Sequence, residues 1–109
     1  MNYCAIKSGE DGASILGLRS EMILAFFIVQ QVFAEFRYNC ILTSGTEGKH
    51  KDHSHHYKAL AMDFRIWHVG TQPERETIAK DCQERLGDEF QVVLSDSCLH
   101  VEFDPKGRK

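Results

Sequence analysis

The sequence predicts an α+β domain in which helices pack on a small antiparallel sheet, and three observations lead there. A long stretch with apolar residues at helical spacing begins at Ser20. A period-two run over 59–67 follows a polar loop. The chain then closes on two short apolar runs, 90–94 and 98–103, separated by Ser95-Asp96-Ser97. With 109 residues the chain can build one compact domain with a real core and not two, so 1–109 is read as a single domain.

Each element has a local reason. Residues 1–19 carry Gly9, Gly12 and Gly17 among short apolar pieces, which suggests a loop-rich entry with room for one short strand. Ser20 and Glu21 supply an N-cap and a first-turn acid, and Met22, Phe26, Val29, Phe33 and Phe36 then share one face, predicting a core helix over 20–37. The segment 38–45, YNCILTSG, reads as a buried strand ending in a Ser-Gly turn. In 59–67, Leu60, Met62, Phe64 and Ile66 point one way and Ala61, Asp63 and Arg65 the other. Thr71, Pro73, Glu74 and Glu76 start a second helix that buries Ile78, Ala79, Cys82 and Leu86 and stops at Gly87. The last two runs form a hairpin, with Cys98, His100 and Glu102 on one face and Leu99, Val101 and Phe103 on the other. The end of the chain, DPKGRK, reads as a polar tail.

Charge and cysteine usage narrow the function classes. A net charge of −3 gives no whole-protein attraction to nucleic acid or to an anionic membrane, so neither is expected as a partner. Cys4, Cys40, Cys82 and Cys98 form no CxxC pair and read as small buried hydrophobes in a reducing compartment. The apolar run Met22 to Val29 is far short of the ~20 residues that span a bilayer. It also lacks the basic flank and cleavage site of a signal peptide. A monomer made in the cytoplasm is expected.

The chemistry concentrates in KHKDHSHHYKALAMDFR, Lys49 to Arg65, which holds four of the six histidines. A hydrolytic zinc site needs three protein ligands, of the histidine and carboxylate kind, and one open position for water. His56 in the loop, Asp63 on the polar face of the following strand and His100 on the polar face of the hairpin supply such a set. Three simpler roles compete: a surface histidine, an aspartate paired with Arg65 or a backbone amide, and an interior strand histidine. His50, His53 and His55 read as solvated loop residues, Trp67 as a core or rim aromatic, and Cys98 as a possible fourth ligand.

The segment Ser54-His55-His56-Tyr57-Lys58-Ala59-Leu60-Ala61-Met62-Asp63 resembles the SxHxxGxAxD signature of the D-alanyl-D-alanine carboxypeptidase and VanX-like zinc peptidases, which include phage endolysins. Leu99-His100-Val101-Glu102-Phe103 resembles their final zinc-ligand strand. The resemblance covers 42–66 and 91–105. It implies the hedgehog/DD-peptidase type of α+β fold, a bound Zn2+ held by His56, Asp63 and His100, and Ser54 ordering the loop. It also implies a peptidoglycan stem peptide as substrate and, for a phage protein, release to the cell wall at lysis.

Three positions depart from the pattern. Ala59 stands where the signature has glycine, and Ser97 stands where the family has its acid, three residues before the last histidine. Glu47 stands where a basic residue is common. Asp96 and Glu102 are the remaining candidates for the proton carrier and Lys49 for the oxyanion-stabilising cation. The departures leave open a non-catalytic zinc domain of the same fold, used for binding or structure. A histidine-loop metal buffer is the third alternative.

Overall fold

The computed structural model describes residues 4–6, 20–45 and 60–104. The elements run β1 (Cys4–Ile6), α1 (Ser20–Glu35), β2 (Cys40–Ser44), β3 (Ala61–Arg65), α2 (Gln72–Leu86), β4 (Phe90–Leu94) and β5 (Cys98–Phe103). They form an α+β domain whose five-stranded sheet has the order β1-β2-β3-β5-β4. The four strands β2 to β5 pair antiparallel, as the sequence predicts, while β1 adds a parallel edge to β2. That edge follows from connectivity: a helix between two neighbouring strands returns the chain in the same direction, which a hairpin cannot do.

One face of the sheet carries the core. Leu42, Met62, Phe64, Leu99 and Val101 are fully buried with Met22, Ala25, Val29, Val32 and Phe33 of α1 and Ile78 and Cys82 of α2. Phe26 and Phe36 pack at the margin of this cluster, so the inward face of α1 is rotated from the expected stripe toward Ala25 and Val32. Small side chains there let the helix approach the sheet closely. Phe26 still stacks on Phe64, with ring centroids 5.9 Å apart.

Both helix ends have identifiable causes. Helix α1 stops two residues earlier than its periodicity suggests, because Arg37 takes a left-handed conformation with φ 66°. The Tyr38 amide then donates to the Phe33 carbonyl and the Arg37 amide to that of Ala34, which satisfies the last turn. In α2, Thr71 Oγ1 caps the helix by accepting from the Glu74 amide and donates to Glu74 Oε1, at the start that the sequence predicts. Gly87, φ 88°, closes the helix where expected.

Polar clamps fix the helices to the sheet. Gln83 donates to the Phe90 carbonyl and accepts from the Val92 amide, tying α2 to β4 through two bonds of 2.8 and 2.9 Å, and donates to the carbonyl of the C-cap Gly87 at 3.0 Å. Arg85 pairs with both carboxylate oxygens of Glu35, joining the two helices at an exposed site.

Gln83→Ala is expected to cost about 2–3 kcal/mol in urea unfolding, since it removes the side-chain partner of the Phe90 carbonyl and the Val92 amide, whereas the Gly87 carbonyl still accepts from the Phe90 amide. Arg85→Ala, which removes an exposed ion pair, should leave the urea midpoint nearly unchanged. Arg37→Gly should raise stability by about 0.5–1 kcal/mol, because glycine adopts the left-handed conformation without a Cβ clash.

Candidate active site

The face of the sheet opposite the helices carries the ionisable residues. Strand β3 presents Asp63 and Arg65 there and β5 presents Cys98, His100 and Glu102, because side chains alternate along each strand and directly paired residues share a face. The register places Asp63 opposite His100, Ala61 opposite Glu102 and Arg65 opposite Cys98. Beside Asp63 the other neighbour, β2, is irregular. Leu42 pairs with Phe64 and Ser44 with Asp63, so β2 carries one extra residue at this point. Such a β-bulge twists a strand locally and re-aims side chains, and Thr43 Oγ1 at the bulge donates to the Asp63 carbonyl.

His100 sits between two carboxylates. Its Nδ1 lies 2.7 Å from Asp63 Oδ1 and its Nε2 lies 3.1 Å from Glu102 Oε1. A carboxylate oxygen accepts, so each ring nitrogen donates, and an imidazole that donates twice carries a positive charge. The hydrogen bond to Asp63 is the main cause that lifts the His100 pKa from 6.5 to about 9; Glu102 adds to the rise and burial opposes it. The side chains of His100, Asp63 and Glu102 keep 28%, 23% and 17% of their surface exposed, so solvent and ligands reach the group.

The donor set is of a kind that zinc accepts, although among the described residues no three of His, Cys, Asp and Glu are arranged to hold an ion as they stand. Two tetrahedral ligands at ~2.0–2.1 Å from zinc lie about 3.3 Å apart. Asp63 and His100, at 2.7 Å, are at the spacing of a hydrogen bond and would separate slightly to admit an ion in place of the proton. Glu102 on the other ring nitrogen then serves as the outer carboxylate that metal-bound histidines commonly have.

The remaining expected residues fall in three groups. His56, Ser54 and Lys49, with Glu47, Ala59 and the histidines 50, 53 and 55, lie outside the described residues. Asp96 is exposed at the tip of the hairpin. It precedes Cys98, which itself stands ~7 Å along the strand from His100. The hairpin turn is closed by Ser95, whose hydroxyl accepts from the Cys98 amide, and not by Asp96. Ser97 is also exposed, and its carbonyl accepts from the Ile66 amide. Cys98 is half-buried with its sulfur 3.5 Å from Ser95 Oγ, while Cys40 and Cys82 are buried as expected of hydrophobic cysteines.

The alternative pairing of Asp63 with Arg65 is not what the structure contains. Arg65 instead lies over the ring of Trp67, 4.6 Å from its centroid, and Trp67 is a rim aromatic with 58% of its surface exposed. This pair was the site feature least legible in the sequence. The signal was the alternation Asp63, Arg65, Trp67 along one face.

No protein-family model matches the chain, and no curated protein and no solved structure matches it either. Among the described residues no helix is long and apolar enough to cross a membrane.

The sign of the pH dependence follows from the raised His100 pKa. A group that binds its proton more tightly when folded stabilises the fold fully below its unfolded pKa and loses that contribution as pH rises through the folded value. In the presence of a chelator, stability should therefore hold near pH 6 and fall between about pH 6.5 and 9. The loss should be on the order of 1–3 kcal/mol. A His100→Gln variant should lack that descent, read as melting temperature against pH.

Proposed function

We propose that the chain is a single-domain zinc metallopeptidase of the D-alanyl-D-alanine carboxypeptidase and VanX-like kind, hydrolysing a peptide bond in bacterial peptidoglycan stem peptides. The observation that carries this reading is the cross-strand pair Asp63–His100, 2.7 Å apart on the open face of the sheet. These are the two strand-borne residues that the signature assigns to the ion, separated by 37 positions in sequence and brought into direct register. The third ligand in this reading is His56, with Ser54 ordering its loop.

Zinc, when bound, supplies Lewis acidity toward the scissile carbonyl and makes water a stronger acid. The residues do the rest. Asp63 and His100 would hold the ion, and the proton they share would leave when it binds. Glu102 orients the His100 ring through Nε2 and is, among the described residues, the carboxylate beside the pair placed to accept a proton from water entering the site. In the overall reaction the oxygen of water bonds to the carbonyl carbon, the carbon–nitrogen bond breaks, and a proton of that water ends on the leaving amine. Asp96 stands too far along the hairpin to be preferred as the carrier, and Lys49 is assigned to the developing oxyanion. The substrate class, phage context and release at lysis rest on the resemblance.

One observation favours a second reading, a non-catalytic zinc domain of the same fold. Ser97, at the position where the family places its acid, is exposed and has its carbonyl engaged in closing the strand ends. A serine there cannot serve as a base without its own activation.

Elemental analysis is expected to find one zinc per chain in the wild type and none in His56→Ala, Asp63→Ala or His100→Ala, all three of which should also lose muropeptide hydrolysis. Glu102→Gln retains an oxygen acceptor for the ring nitrogen. It should keep its zinc and lose at least ~100-fold in kcat, the lower end of what a general base contributes. Full zinc occupancy without turnover of stem peptides or of D-alanyl-D-alanine dipeptides would select the non-catalytic reading. Several weakly held ions per chain that survive Asp63→Ala would select the metal buffer.

A further inference from the structure

Arg65 has no ionic partner among the described residues. Among the described residues no carboxylate pairs with it and no carbonyl accepts from it; its one contact is the face of Trp67, 4.6 Å away. A guanidinium two residues along a strand from an aspartate, on the same sheet face, would ordinarily pair with it. Here Asp63 and Glu102 are both turned to His100. Trp67 holds the guanidinium by a cation–π contact, which leaves its N–H edge available.

The platform under Arg65 is fixed. Arg75 donates from Nε to the Val69 carbonyl at 2.9 Å and from Nη2 to the Trp67 carbonyl at 3.0 Å, clamping the turn that carries the tryptophan. The Trp67 ring meets the His68 ring edge-on, and His68 is itself anchored through Nε2 to the Asn39 carbonyl at 2.8 Å. An arginine on a pre-organised aromatic loses little side-chain freedom when it takes a ligand, and its planar fork matches a carboxylate bidentately.

Its place relative to Asp63 sets what the ligand is. Two residues along a strand separate their Cα atoms by ~6.6 Å. One or two residues of an extended peptide span ~3.5–7 Å. A peptide lying along β3 with its scissile bond at Asp63 and His100 would therefore bring one of its ends to Arg65, and a guanidinium pairs with the end that carries a carboxylate. We infer that Arg65, supported by Trp67, anchors the C-terminal carboxylate of the peptide bound on this face. The anchor selects peptides that end one or two residues beyond the bond to be cut, over bonds within a longer chain. Its relation to the scissile bond rests on the peptidase reading above, whereas its affinity for the carboxylate is measurable without it.

Trp67 is the single tryptophan of the chain and reports directly on the site. The probe is the ketomethylene isostere of N-acetyl-alanyl-alanine, which has no scissile amide at that position, offered in L and D forms as the free acid and as the C-terminal amide. With the full-length zinc-treated protein the free acid should change Trp67 emission saturably and the amide should bind at least about tenfold more weakly. Arg65→Gln should erase that preference and Arg65→Lys should restore part of it, with melting temperatures unchanged in both. Equal affinity for acid and amide, a preference that survives Arg65→Gln, no saturable change with the acid, or an equal response to acetate alone would each overturn the inference. Zinc content and hydrolysis are read in parallel. A chain that prefers the acid through Arg65 but holds no zinc and cuts nothing would refute the peptidase reading and leave the carboxylate anchor standing.

Discussion

The pairing of β3 with β5 in one register is the constraint on which the rest of the molecule depends. It seats Met62, Phe64, Leu99 and Val101 under the helices, and by the same alternation it places Asp63 against His100 on the other face. A slip of one residue would turn the apolar set outward and bury the charges, a change that no local adjustment offsets. Burial of the core therefore fixes the geometry of the open face, and the site acquires its precision from hydrophobic packing that it does not touch.

The connections serve that register. Helix α2 carries the chain from β3 past the position of β5 to the edge strand β4, and the hairpin then returns β5 into the gap. Gln83 holds β4 to the helix, so β5 is enclosed between two strands that are each anchored. On the far side of β3 the extra residue in β2 disturbs the ladder only where Asp63 lies. A flat continuous sheet would pack as well, and the irregularity beside an ionisable residue is more readily understood as a means of aiming it.

Much of this was legible from residue order. Period-two alternation located β3, β4 and β5 to within about two residues, and with it the shared face of Asp63, His100 and Glu102. Thr71, Pro73 and the acids Glu74 and Glu76 at the start, with Gly87 as the stop, located α2. The parts that were not legible depend on geometry without a characteristic residue. The end of α1 uses Arg37 in a conformation that glycine usually marks, so periodicity ran on to residue 37. One short strand was expected within 1–19, but β1 is three residues long, too short for a pattern to fix its place or its parallel pairing. The bulge in β2 falls in a Thr-Ser-Gly stretch that reads equally well as the end of a strand. The partners of Arg65 and Asp63 could not be told apart because both arrangements, an ion pair between them or separate contacts, satisfy the same alternation.

That last ambiguity exposes the electrostatic logic of the face. Two carboxylates and two cations lie within a few residues on adjacent strands, and the simplest arrangement would be two separate ion pairs. Instead one imidazolium takes both carboxylates and the guanidinium is set on an aromatic ring. The doubly bound imidazolium is a poor use of charge for stability alone, since an arginine in that place would bind two carboxylates with more donors at any pH. What histidine provides in its place is a proton that can leave. In the reading proposed above a metal ion, which needs the same lone pair, takes the proton's place, and the arginine, which pairs with no carboxylate among the described residues, receives an anion from outside. The arrangement gives up a second ion pair at the surface, where such a pair is worth little, and gains two adjoining groups that are ready to exchange partners.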